Sequence, residues 1–193
     1  MRIFIAGASG VLGKTIVPLL TEQGHQVAGL TRSESGAAII ESMGATAVVC
    51  NVFDREPLIK AVVAFAPDVI LHELTDLPDA AEHIAGHLSG NARIRSEGTP
   101  NLIAAAEAAG KPEFLAQSVA WQMPPGEGAD AVATLERLVL DYRGVVLRYG
   151  QLYGPGTFYE ETVPEGPKVE IAEAGRRTVA AIGHESGIVT VVD

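Results

Sequence analysis

The sequence predicts a doubly wound, parallel α/β sheet of six or seven strands, and three observations carry that expectation. Apolar runs of strand length alternate with amphipathic runs of helix length along the 193 residues, the pattern of repeated β–α units rather than of hairpins. The chain opens with an apolar strand, Arg2-Ile3-Phe4-Ile5-Ala6, then the turn Gly7-Ala8-Ser9-Gly10-Val11-Leu12-Gly13, then helical periodicity from Gly13 to about Gln23. Hydrophobic residues make up 47% of the chain, enough for one sizeable core, so a single domain over residues 1–193 is expected.

Three glycines at this spacing have separable tasks. One permits the turn, one lets backbone amides approach a pyrophosphate, and one packs the helix closely on the strand. The free N–H groups and positive dipole end of the helix then favour an anion. Gly7, Ser9, Gly10, Val11, Leu12 and Gly13 are therefore expected at a dinucleotide.

A second strand, His25–Thr31, ends at Arg32 and Ser33, where such a fold reads the adenosine ribose. An acid there would bind the two hydroxyls of NAD, whereas an arginine can pair with the 2′-phosphate of NADP. Arg32 points to NADP, with NAD possible; a surface arginine neutralised by Glu34 is the alternative. A helix over 33–43 is closed by Gly44, and 45–50 forms a third strand. Cys50 is expected as a small buried hydrophobe at that strand's end. Asn51 lies where an adenine ring would rest or is a plain turn residue, with Val52 beside it; Asp54 is expected to cap a helix over 56–65, with Pro57 in its first turn.

The fourth strand, 68–72, is reached by a crossover and lies on the other side of the first, at the switch point where ligands sit. Leu74 follows as a further cofactor contact, and His72 at the strand end is expected to be a hydrogen-bonded structural residue. Residues 76–90 carry breaks at Pro78, Gly86 and Gly90 and two histidines, His83 and His87, at i, i+4. No carboxylate pattern completes a metal site, so both are expected to be solvated and no metal is assigned. A helix over 91–109, a strand over 113–117 ending at Ser118, a Pro/Gly loop, a helix over 129–142 and a strand over 144–148 follow. Residues 153–156 read as a turn, 170–182 as a helix and 188–192 as a last strand.

The formal net charge of −10 argues against nucleic acid, which needs a basic face. No apolar run reaches the roughly 18 residues of a membrane span, and the first residues lack a secretory h-region, so a cytoplasmic protein is expected. Cys50 is the single cysteine, which leaves no intrachain disulfide. A homodimer is expected through the helices at 91–109 and 129–142, with Ala104, Ala105, Ala108, Val132, Leu135 and Val139 at a two-fold axis unless those faces cover their own sheet.

Four segments together resemble the NAD(P)-dependent epimerase/dehydratase family of the extended or atypical short-chain dehydrogenases/reductases: GASGVLG at 7–13, NARIRSEGTPNLIAAAEAAG at 91–110, the strand ending at Ser118, and VLRYGQLYGPG at 146–156. Residues 169–193 also look like the family's later helix and strand, displaced forward. The resemblance implies a Rossmann fold and a bound dinucleotide. It also implies a serine that polarises a carbonyl, for which Ser118 is the candidate, a tyrosine that transfers the proton and a lysine four residues after it. With Glu136 matched to the family's following acid, the tyrosine position falls on Gly128 and the lysine position on Val132. Tyr142, Tyr149, Tyr153 and Tyr159 all lack a lysine four residues on, and the family's C-terminal substrate lobe is mostly absent. Three functions stay open: an atypical NAD(P)-dependent oxidoreductase or epimerase/dehydratase relative, acting on an unknown small molecule through Ser118, Gln122 or Tyr153; a regulatory module that holds NADP(H) without turnover; and a scaffold subunit.

Overall fold

Side chains alternate across the first strand, β1 (Arg2–Ala6), and both alternate sets are buried: Ile3 and Ile5 on one face, Phe4 and Ala6 on the other. A strand apolar on both faces needs cover on both, which parallel β–α–β units supply. The computed structural model, which describes residues 1–76 and 84–193, shows that arrangement. The strands of the main sheet are β1, β2 (Gln26–Thr31), β3 (Thr46–Val49), β4 (Val69–His72), β5 (Glu113–Val119), β6 (Val145–Tyr149) and β9 (Gly187–Val191), all parallel, in the order β3-β2-β1-β4-β5-β6-β9.

Helices α1 (Val11–Glu22), α2 (Glu34–Ser42) and α7 (Ile171–Ala180) cover one face, and Ile16, Val17, Leu20, Ile40 and Ala174 pack there on Ile3, Ile5 and Leu71. Helices α3 (Arg55–Phe65), α5 (Thr99–Ala108) and α6 (Glu127–Asp141) cover the other, where Leu58, Val62, Leu102, Ala105, Leu135 and Val139 meet Phe4, Ile70 and Phe114. Each such large side chain contributes roughly 1.5–3 kcal/mol by leaving water.

The expected elements are present, with ends shifted by one or two residues, and four points need correction. The helix expected from residue 91 starts earlier, as α4 (Ile84–Arg93), and passes through a π turn at Ile94–Gly98 before α5. Residues 151–153, read next to a turn, form β7 (Gln151–Tyr153), which pairs with β8 (Lys168–Glu170) in a separate two-stranded ribbon. Three residues per strand carry too little alternation to be recognised. Asp54 stands at the N-cap of α3, but its side chain makes no capping hydrogen bond. Ala105, Leu135 and Val139 are buried on their own sheet, so they do not form the exposed stripe proposed for a dimer. Pro78 and His83 lie outside the described residues. Among the described residues no helix is long and apolar enough to cross a membrane.

Candidate functional site

The sheet order reverses between β1 and β4, and the loops after these strands are joined where the Glu73 amide donates to the Ala6 carbonyl at 2.8 Å. Gly7 has φ +100°, and a Cβ there would stand 2.6 Å from the Glu73 carbonyl oxygen. Gly13 packs so closely that a Cβ would strike the Gly7 carbonyl and Ala8. Gly10 is the N-cap of α1 and offers no side-chain cap, and the first turn holds no acid. The positive end of this helix is thus left for an outside anion.

Two cavities meet at this point. The first, of about 300 Å³, runs from the glycine turn to the ends of β2 and β3, and Gly7, Ser9, Gly10, Arg32, Ser33, Val52 and Leu74 line it. Val11 and Leu12 face the second cavity instead, because the helix turns them past the loop. Asn51 and Gly13 line neither. Asn51 Oδ1 accepts from the Phe53 amide at 3.1 Å, a turn-closing bond, and the wall expected of Asn51 is made by Val52 and Phe53. Arg93 lies over the Phe53 ring, 4.0 Å from its centroid. Cys50 is half-buried in this wall rather than enclosed, and burial raises its thiol pKa. Ser33 also caps α2, its Oγ accepting from the Gly36 amide at 3.1 Å. Arg32 is exposed and pairs with Asp76 at 3.2 Å, not with Glu34.

The second cavity, of about 440 Å³, has mostly apolar walls that include Leu88, Trp121, Met123, Tyr149, Leu152, Phe158 and Tyr159. It shares Gly10, Glu73 and Thr75 with the first. Ser118 lines it, but the hydroxyl proton is already donated to Glu136 at 2.6 Å. Burial pushes the Glu136 carboxyl up, and hydrogen bonds from Arg148 and Ser118 with the Arg148 charge outweigh it, holding the pKa below the usual value. Gln122 and Tyr153 do not line the cavity, and the Tyr153 hydroxyl donates to Asp193.

The residues that the sequence left unremarked are Glu73 and Arg95. Glu73 is 5% exposed, and neither carboxyl oxygen has a hydrogen-bond partner among the described residues. Burial pushes its pKa up to about 8. The neighbouring Tyr149 hydroxyl, which pulls the other way, is bonded to Thr178 at 2.6 Å. Burial, then the Glu73 charge, raises the Tyr149 pKa. His72 is buried and structural, with Nε2 3.0 Å from Thr99 Oγ1; burial and the charge of Arg95 lower its pKa to about 3, so it stays neutral.

The model of the NAD dependent epimerase/dehydratase family matches residues 3–137. The chain belongs to that family. It is of the short-chain dehydrogenase/reductase type, in a family described as NAD dependent. A Streptomyces protein named 3-diazoavenalumate denitrifying reductase is 40% identical over 182 residues, covering 82% of this chain and 59% of that relative. This chain therefore spans less than two thirds of that protein's length. The photosystem II assembly factor Ycf39 of Synechocystis is 33% identical over 119 residues, 62% of this chain and 34% of that protein. Among solved structures, Thermus thermophilus UDP-glucose 4-epimerase in complex with NAD superposes with a TM-score of 0.80 at 19% identity, over all of this chain and 78% of that one, which shows the shared fold.

Within the family frame, the positions matched to tyrosine and lysine lie on α6. Gly128 sits in its first turn and Val132 is half-buried, and neither lines the second cavity. The tyrosine hydroxyls are engaged elsewhere: Tyr142 donates to the Pro112 carbonyl and Tyr159 to Gln151.

Proposed function

We propose that this chain is an NADP(H)-dependent reductase that works without the tyrosine–lysine pair, on a substrate seated in the second cavity. The observation that carries the reading is the meeting of the two cavities at Gly10, Glu73 and Thr75. The residues fit a dinucleotide: the turn at Gly7 is too tight for any side chain, and α1 presents an uncapped N-terminus. Gly7, Ser9 and Gly10 would hold the pyrophosphate, Arg32 and Ser33 the adenosine ribose, and Val52, Phe53 and Leu74 the adenine side. When bound, the reduced dinucleotide supplies hydride.

The acceptor's chemistry decides whether the missing pair matters. Reducing a carbonyl also takes a proton. Replacing a diazonium group by hydride makes a C–H bond, breaks the C–N bond and releases dinitrogen, with no proton consumed. A site without the tyrosine–lysine pair suits the second class, and the relative named for a diazo substrate supports it. The walls of Trp121, Phe158 and Tyr159 suit an aromatic ring. NADPH with benzenediazonium is expected to give protein-dependent dinitrogen release. Quinones, aldehydes and nucleotide sugars are expected to fall about 10²–10⁴-fold below ordinary turnover, the usual contribution of a positioned proton donor. Carbonyl turnover at an ordinary rate, or no dinitrogen above the protein-free control, would reject the reading. A second reading, a module that holds NADP(H) without turnover, draws on the committed proton of Ser118. It predicts NADPH binding with no consumption.

NADP(H) is expected to bind more tightly than NAD(H). The Arg32–Asp76 pair is exposed, and such pairs contribute only about 0–1 kcal/mol, so Arg32 is easily released to a phosphate. A charge-assisted bond of roughly 1.5–3 kcal/mol corresponds to a preference of about ten- to a hundredfold. Calorimetric titration of both nucleotides should show that ratio in the natural chain and a ratio near one in Arg32→Ala.

A further inference from the structure

We infer that Arg95 is the anchor for a carboxylate on the substrate, which makes the substrate class an aromatic acid. The inference deepens the reading of the second cavity as the substrate site and rests on it. Arg95 lies in the π turn between α4 and α5, an irregularity that often marks functional positions, and the turn sets it in the cavity wall. The residue is 7% exposed. Its guanidinium makes no hydrogen bond or ion pair with any described residue, and the residue lines the cavity.

An arginine held this deep needs a counter-charge, because desolvation without compensation is unfavourable. Burial lowers its pKa, and a guanidinium keeps its charge in proteins. Among the described residues, the neighbouring titratable groups do not supply the missing negative charge. His72 is neutral, and Glu73 carries its proton at neutral pH. Among the described residues, the cavity therefore presents one positive charge among aromatic and aliphatic walls. A planar guanidinium pairs with a carboxylate through two parallel hydrogen bonds, and the rings of Trp121, Phe158 and Tyr159 offer surface for an aromatic body. A volume of about 440 Å³ accommodates a single-ring acid with a short side chain.

Trp121 is the chain's one tryptophan and lines the cavity, so its fluorescence reports occupancy of this site directly. Titration with 3-phenylpropanoate and with 3-phenylpropanamide separates charge from shape, and it needs neither dinucleotide nor turnover. The acid is expected to bind about ten- to a hundredfold more tightly than the amide. Arg95→Gln should bring the acid down to the amide's affinity, Arg95→Lys should retain part of the preference, and NADPH affinity should stay unchanged in both. Equal affinities for acid and amide in the natural chain, or a preference that survives Arg95→Gln, would overturn the inference. Should Arg95→Gln fail to fold, as judged by circular dichroism, the acid–amide comparison in the natural chain still decides. A preference for the acid with no diazonium reduction would leave the carboxylate site standing and remove the reductase reading.

Discussion

Replacing Gly7 by valine is expected to weaken NADPH binding by more than about a hundredfold, the sum of two independent penalties. The first is conformational: φ is +100° at Gly7, and holding a side-chain-bearing residue there costs roughly 1–3 kcal/mol. The second is steric. The new Cβ would stand 2.6 Å from the Glu73 carbonyl oxygen, so the β1 and β4 loops must part, and with them the walls of both cavities. Gly24 provides the control, since it has φ +81° and a Cβ added there would meet nothing within 4 Å. Gly24→Ala should lose about 1 kcal/mol of stability and keep full affinity. Calorimetry on both variants, with circular dichroism to confirm the fold, separates strain from damage to the site. Unchanged affinity in Gly7→Val would place the dinucleotide elsewhere.

This loop was legible in the sequence because its glycines answer to backbone constraints that act within seven residues. The parallel, doubly covered sheet was legible for a similar reason: strands buried on both faces give continuous apolar runs such as Val69-Ile70-Leu71, and their crossovers are short helices. The place of Arg32 at the end of β2, beside the first cavity, was legible in the sequence.

Glu73 and Arg95 were hidden for a different reason. What makes each unusual is the absence of a partner in space, which no local pattern encodes. A spacing signal did exist for Arg95. Asn91, Arg95, Thr99 and Leu102 recur at helical intervals, and all four are buried, so the arginine lay on an inward face. For Glu73 the signal was position, an acid directly after a fully buried strand at the switch point. The Ser118–Glu136–Arg148 cluster joins three elements, and only the fold showed that the serine's proton was already in use.

Replacing Glu73 by glutamine is expected to stabilise the protein strongly at alkaline pH and hardly at all in acid. The folded-state pKa is about 8, against 4.5 for the free side chain, because burial disfavours the charged form. Below pH 4.5 the carboxyl is protonated in both states and neither gains. Between 4.5 and 8 the unfolded chain releases the proton while the folded chain keeps it, so stability falls as pH rises, by about 1.4 kcal/mol per unit. The accumulated loss reaches about 5 kcal/mol at pH 8 and then levels off. Glutamine has the same shape and no proton to release, so the variant escapes this loss. Since about 1 kcal/mol moves the melting temperature of a chain this size by roughly 2–4 °C, Glu73→Gln should melt about 10 °C higher than the natural chain at pH 8.5 and within a few degrees of it at pH 4.5. Thermal melts of both proteins across that range provide the check, and parallel curves would mean that water or a partner group reaches the Glu73 carboxyl. A further consequence concerns the ligand: because Glu73 walls both cavities, an anion on Arg95 disfavours a second negative charge nearby. Adding 3-phenylpropanoate should therefore move the pH at which the natural chain's decline levels off to a higher value, and leave the curve of Glu73→Gln displaced upward without changing its slope.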